Sequence, residues 1–182
     1  MKKIAVHLAE GFEEIEAISI IDVLRRAEFE VNIVSVSGNF VVTGSHNIKV
    51  MADSLFESID YESIDMIVLP GGMPGSTNLN MHKALKEQIL AFHKKGKPLG
   101  AICAAPLVFG NLGILKGKKA TCYPGFEDEL LGAKPTGKHV EQAGTIVTGK
   151  GAGVAIDFAI KIVEMLKGKE LANELASKMI VK

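Results

Sequence analysis

Short runs rich in Val and Ile, namely IAVHLA, VNIVSVS, IDMIVLP and PLGAIC, recur along the first two thirds of the chain. Longer amphipathic segments, EEIEAISIIDVLRRA and KALKEQILAFHKK, lie between them. Apolar runs alternating with helical periodicity read as β-α-β units. A run that is apolar at consecutive positions, such as Met66 to Leu69, has no face to offer water. It therefore requires a parallel sheet covered by helices on both sides. The last third continues the theme with KKATCYP and GTIVTG as strands and VAIDFAIKIVEMLKG and KELANELASKMI as closing helices. Residues 38 to 52, GNFVVTGSHNIKVMA, read instead as a small hairpin turning at Thr43-Gly44-Ser45. The prediction is a doubly wound α/β sandwich, mostly parallel, with helices on both faces and a small β-hairpin.

At 182 residues and 47% hydrophobic composition the chain is expected to form one domain, residues 1–182, around a closed core. Lys+Arg and Asp+Glu are matched at 21 each, which disfavours nucleic acid and anionic membrane surfaces as partners. The chain opens directly in the strand-like KKIAVHLA, and no apolar run approaches the roughly 20 residues of a membrane span, so a cytoplasmic protein is expected. The two cysteines, Cys103 and Cys122, make neither a disulfide framework nor a zinc-ligand spacing, and no metal is expected.

Doubly wound sheets place ligands beyond the carboxyl ends of their strands. Three segments fall there: Glu10 to Glu16, Pro70 to Gly75, and Cys103 to Pro106. Cys103 ends the strand PLGAI, and Pro106 suits the first turn of the helix that follows. Ala101 and Ala105, small and two positions away on either side, permit a nucleophile elbow, and the helix dipole would favour the thiolate. A free cysteine at such a corner is also a common space filler. Around GFEEIEAISIIDVLRRA the apolar stripe is Ala17, Ile20, Ile21 and Leu24; Glu14 falls on the solvent-leaning line with Ile18 and Arg25, whereas Glu13 and Glu16 both lie along the stripe's edge. A carboxyl withdrawn from water has its pKa raised and can share a proton with a neighbouring thiol. Spacing alone does not choose between Glu13 and Glu16. In LPGGMPG, Gly71 and Gly72 let the backbone approach a substrate and aim N–H groups at a developing oxyanion.

The order AEGFEEIEAISIIDVLRRA, IVLPGGMPG, AICAAP and TGKGAG resembles the ThiJ/PfpI family over essentially the whole chain, from Lys3 to about Val181. The resemblance implies a flavodoxin-like fold related to the class I glutamine amidotransferase domain, and a homodimer. It implies Cys103 as nucleophile, Glu16 rather than Glu13 as the buried acid at its sulfur, and the N–H groups of Gly72 and Ala104 as the oxyanion hole. Two departures are visible. Tyr123, in TCYPGFED, stands where many relatives carry a histidine, and Ala104 stands where the protease-like branch carries one. Both count against a Cys-His hydrolytic pair. His7, His46, His82, His93 and His139 do not obviously converge on Cys103. His139 and Glu141 have the H-x-E spacing of glutamine amidotransferases, but their polar segment reads as an exposed strand surface. Cys122 reads as packing, and Tyr123 as a pocket residue.

The function expected is a cofactor-independent cysteine enzyme acting on reactive dicarbonyls or on early glycation adducts of proteins or nucleotides, with Glu16 shuttling protons. The alternatives are a redox-sensing stress protein or chaperone, since a reactive thiolate oxidises readily, and a cysteine peptidase or amidase.

Overall fold

The apolar runs become strands of one sheet because each has a hydrophobic layer against both faces. In the computed structural model, which describes residues 1–181 and so leaves Lys182 of the expected domain outside, β1 (Lys3–Leu8) leads through α1 (Glu14–Arg26) to β2 (Glu30–Ser35). The hairpin of β3 (Val41–Thr43) and β4 (Lys49–Met51) follows, then β5 (Ser54–Leu55) and β6 (Met66–Leu69). Next come α2 (Gly75–Met81), α3 (Lys83–Lys94), β7 (Leu99–Ile102) and α4 (Pro106–Asn111). The chain continues through β8 (Lys119–Ala120), β9 (Lys134–Pro135), β10 (Val140–Ala143) and β11 (Ile146–Gly149) to α5 (Ala155–Lys167) and α6 (Lys169–Lys178).

The central sheet has seven strands in the order β10-β11-β7-β6-β1-β2-β5. Every neighbouring pair is parallel except β10 with β11 at one edge. This is the expected doubly wound α/β fold. From β1 the chain winds outward to β2 and β5, then returns to lay β6 on the other side of β1, so the crevice at the ends of β1 and β6 is the topological switch point. One face of the sheet, with Val6, Met66 and Ile102, packs on Ile20, Leu24, Phe158 and Ile162 of α1 and α5. The other, with Ile67, Leu69 and Leu99, packs on Leu79, Leu85, Ile89 and Phe109. Among the described residues no helix is long and apolar enough to cross a membrane.

One expected strand is much shorter than its sequence reads. Of KKATCYP only Lys119 and Ala120 are extended, pairing with β9 outside the main sheet. The remaining donors go elsewhere: Thr121 N–H bonds Thr148 Oγ1 at 3.0 Å, and Tyr123 N–H bonds the Cys103 carbonyl at 2.8 Å. The segment is thus pulled off the ladder and onto the end of β7.

Fully buried Phe158 occupies room left by two glycines. A Cβ on Gly100 or Gly149 would stand 3.2 Å or 3.0 Å from its ring. Phe158→Ala should therefore open a cavity between α5 and the sheet and cost about 3–5 kcal/mol. Urea denaturation reads this directly, and a loss below about 1 kcal/mol would show that the ring does not key this layer.

Candidate active site

The site begins with the first turn of α1. Glu13 caps the helix, its Oε2 accepting the Glu16 N–H at 2.7 Å. In an ordinary capping box the acid three residues on would reach back to the cap's own N–H. Here Gly71 takes both halves of that exchange. Its carbonyl accepts the Glu13 N–H at 2.9 Å, and its N–H donates to Glu16 Oε2 at 2.7 Å. Glu16 is fully buried, and its Oε1 has no hydrogen-bond partner. Burial pushes this carboxyl up to about 7, against the opposing influence of Cys103 and the Gly71 N–H. The two acids that spacing could not separate thus have different places: Glu13 caps the helix, and Glu16 is buried beside Cys103.

Gly71 is a steric necessity as well as a latch. A Cβ there would lie 2.6 Å from Cys103 Cβ and 2.8 Å from Glu16 Oε2. Gly72, with φ of 91°, is in the left-handed region, and its Cβ would run into the Glu13 backbone nitrogen.

Cys103 follows β7 directly. Its N–H donates to the Gly149 carbonyl at 2.9 Å and its own carbonyl accepts from Tyr123 N–H at 2.8 Å. Held from both sides, it has φ of 64°, uncommon for a residue with a Cβ, and α4 starts three residues later with Pro106 at its first turn. This is a strand–turn–helix elbow with the thiol at its tip.

The expected easing of thiol ionisation by the helix dipole is outweighed. The helix has only six residues, while burial, the Glu16 charge and the Glu16 hydrogen bond push the Cys103 thiol up to about 12. The N–H groups of Ala104 and Gly72 act in the opposite direction. Both Glu16 influences require a charged carboxylate, so protonating Glu16 removes them and leaves burial opposed by the two N–H groups. A thiolate and a carboxylate this close repel, so ionising one makes ionising the other harder.

A cavity of about 180 Å³ opens onto this sulfur, lined by Gly72, Met73, Cys103, Ala104, Tyr123 and Phe126. Gly71 lies behind it, its N–H committed to Glu16. Tyr123 packs edge-on to Phe126 with centroids 6.4 Å apart. Met73 and Phe126 lie within LPGGMPG and TCYPGFED but are not themselves singled out by the sequence; Phe126 arrives because the turn after Tyr123 closes with its N–H on the Tyr123 carbonyl at 3.1 Å.

No described histidine lines the cavity. His7 is buried against Tyr61 at 2.7 Å, and His82 caps α3 by accepting the Leu85 N–H at 3.1 Å. His139 precedes β10 and lines a neighbouring cavity together with Tyr123, while Glu141 lies 3.6 Å from Lys138. Cys122 is buried and packs, its thiol pushed up to about 11 by burial.

Glu14 departs from its expected solvent-leaning position: it is buried. The β3–β4 hairpin folds over it, and Oε1 accepts the His46 N–H at 2.7 Å and the Ile48 N–H at 3.3 Å. Its Oε2 receives Ser45 Oγ at 3.3 Å and meets His46 Nδ1 at 2.9 Å. Burial opposes ionisation here, but the His46 and backbone bonds hold the carboxyl down at about 2. Helical periodicity cannot register a cover supplied by a hairpin thirty residues on. Glu13, Glu14 and His46 come within 4.8 Å of one another, a spacing a cation could use, but both Glu14 oxygens are engaged by the hairpin.

Residues 2–165 match the model of the DJ-1/PfpI family. The chain is 40% identical over 183 residues to protein DJ-1 homolog B of Arabidopsis thaliana, covering 100% of this chain and 42% of that protein, so it spans less than half of this plant relative. It is 33% identical over 168 residues to the glutathione-independent glyoxalase DJR-1.2 of Caenorhabditis elegans, covering 91% of this chain and 89% of that one. Among solved structures, oxidized DJ-1 of Toxoplasma gondii superposes with a TM-score of 0.95 at 39% identity, covering 99% and 98% of the two chains.

The raised Glu16 carboxyl makes a prediction about stability. Its folded pKa of about 7 exceeds the ordinary 4.5, so the folded chain binds this proton more tightly than the unfolded one. Stability is then lost as pH climbs from about 4.5 to about 7 and levels off above. Glu16→Gln should raise the unfolding free energy at pH 8 by about 3 kcal/mol, read from the urea midpoint, and leave it nearly unchanged at pH 4.5. Equal effects at both pH values would mean that the carboxyl is not held protonated by burial.

Proposed function

Because the chain belongs to the DJ-1/PfpI family, we propose that it is a cysteine-dependent, cofactor-independent enzyme of glyoxalase or deglycase type, acting on small α-oxoaldehydes or their early adducts. The observation that carries this reading is the pairing of an elbow thiol with a buried acid that titrates near neutrality, at the mouth of a small cavity. A relative named as a glutathione-independent glyoxalase supports it.

The residues account for the steps. Cys103 passes its thiol proton to the Glu16 carboxylate as Sγ attacks the aldehyde carbon of methylglyoxal, forming a C–S bond while the C=O π pair moves to oxygen. The N–H groups of Gly72 and Ala104 favour negative charge here, and Glu16 supplies the proton that converts the oxyanion to a hemithioacetal. The carboxylate left on Glu16 takes the hydrogen from the former aldehyde carbon as a proton, the electron pair forms a C=C bond, and the ketone oxygen takes the charge as an enediolate. The proton on Glu16 returns to the former ketone carbon while the hemithioacetal hydroxyl proton passes to the neighbouring oxygen, which gives a lactoyl thioester, and water releases lactate and the thiol. One carbon is oxidised as its neighbour is reduced, so the sum is dicarbonyl plus water and no external electron acceptor is consumed. Hydrolysis of a peptide would instead need a group that acts first as base and then as acid to protonate the departing amine, a role histidine commonly fills, and no described histidine lines this cavity.

A second reading rests on Glu16 Oε1, which is buried without a partner. A sulfenic or sulfinic acid on Cys103 could bond to that oxygen, as a redox sensor requires. Substoichiometric peroxide followed by intact mass separates the two: oxygen added first at Cys103, with no lactate formed, favours the sensor.

The protein as proposed is a homodimer. Ile15 and Ile18 on α1, with Phe40, Val41, Ile48 and Met51 on or beside the hairpin, are exposed apolar side chains on elements that Glu14 ties together. A second copy would cover them. Sedimentation velocity should show a dimer for the wild type and a monomer for Ile48→Asp with Met51→Asp; a monomeric wild type would refute this.

For the activity, wild-type protein incubated with methylglyoxal should lose the dicarbonyl and form lactate. Cys103→Ser and Glu16→Gln should each lower kcat/KM by at least about 100-fold. No lactate above background from the wild type would overturn the enzyme reading.

A further inference from the structure

The cavity bearing His139 is larger than the one over Cys103, about 390 Å³, and it is lined by Tyr123, Pro124, His139 and Lys150 with the Gly151–Val154 turn. Three features join it to the nucleophile. Tyr123 lines both cavities, and its N–H is bonded to the Cys103 carbonyl at 2.8 Å. Its ring lies against the glycine turn, 3.4 Å from where a Gly151 Cβ would stand. Finally, the carbonyl that accepts the Cys103 N–H belongs to Gly149, the residue immediately before Lys150. The Lys150 N–H bonds the His139 carbonyl at 2.9 Å, which sets the two basic residues opposite each other at the end of the β10–β11 pair.

The charge of this cavity is one-sided. Lys150 and His139 line it, and no acidic residue does among those described. Lys150 Nζ donates to the Gly137 carbonyl at 3.1 Å, a neutral partner that anchors the ammonium without neutralising it and leaves its other donors available. Gly151 and Gly153 put no side chain into the space.

We propose that this cavity is a subsite for a carboxylate, and that the protein's preferred substrates are α-oxoaldehydes carrying a carboxylate on the chain beyond the ketone. The inference rests on the dicarbonyl reading above and names its substrate class. The aldehyde carbon meets Cys103 Sγ in the smaller cavity, the chain passes the Tyr123 ring, and the carboxylate meets the Lys150 ammonium with His139 as a second donor. A single lysine, rather than an arginine fork, suits a singly charged anion. Methylglyoxal, ending in a methyl group, leaves the subsite unused.

The test compares 4,5-dioxovalerate, which has such a carboxylate, with neutral 2-oxopentanal and with methylglyoxal. The wild type should favour 4,5-dioxovalerate over 2-oxopentanal by roughly tenfold in kcat/KM, as expected of one charge-assisted hydrogen bond. Lys150→Met should erase that preference and leave methylglyoxal turnover unchanged, Lys150→Arg should restore most of it, and His139→Gln should reduce it. An equal preference in wild type and Lys150→Met, or none in the wild type, overturns the proposal. A binding readout runs beside it: the concentration of each compound that half-protects Cys103 from iodoacetamide, which registers reversible hemithioacetal formation without turnover. Should methylglyoxal give no lactate, the enzyme reading fails, and the protection ratio alone then decides whether the carboxylate subsite exists.

Discussion

The hydrogen bonds between Gly71 and the first turn of α1 are the constraint on which the rest of the site depends. By accepting from the Glu13 N–H and donating to Glu16 Oε2, one glycine peptide ties the end of β6 to the start of the helix after β1. The two elements meet at the topological switch point of the sheet, where strand ends diverge and leave a crevice. Without this tie Glu16 would be free to close the capping box on its own helix, with its carboxyl in water and of ordinary acidity. With it, the carboxyl is carried inward and held against the Cys103 side chain. The same approach excludes any Cβ at Gly71.

The second half of the site hangs on the other side of the switch point. The Gly149 carbonyl and the Tyr123 N–H grip the Cys103 peptide from β11 and from the loop after β8, and a left-handed φ is what satisfies both. The cost of that conformation is met by the packing of β7 between two parallel neighbours. Cys103 and Glu16 thus come from opposite sides of the sheet's switch point. Their separation is set by strand spacing rather than by flexible side chains, the arrangement in which proton transfer between fixed groups works best.

Tyr123 occupies the place where a histidine base was a family expectation, and its structural role is that of a wall. It bonds the Cys103 carbonyl through its backbone, packs on Phe126, and lines both the small cavity over the sulfur and the basic cavity of Lys150 and His139. A neutral aromatic there leaves Glu16 as the acid–base group beside Cys103.

Much of this was legible in the chain itself. Runs such as MIVL, apolar at every position, permit only a sheet covered on both faces, and the β-α-β alternation sets its handed winding. The glycine pair and the cysteine at strand ends followed from the same pattern. What the chain could not settle were distances between elements remote in sequence. Glu13 and Glu16 are equivalent on a helical projection, and only the Gly71 peptide, fifty-five residues after Glu16, distinguishes them. Glu14 reads as solvent-facing until the hairpin closes over it, and KKATCYP reads as a strand until the Cys103 carbonyl captures the Tyr123 N–H. Periodicity reports which face of an element is apolar, a property each segment carries alone. Burial of a particular carboxyl, and the acidity of a particular thiol, depend on what another segment brings to it, and tertiary structure alone decides that.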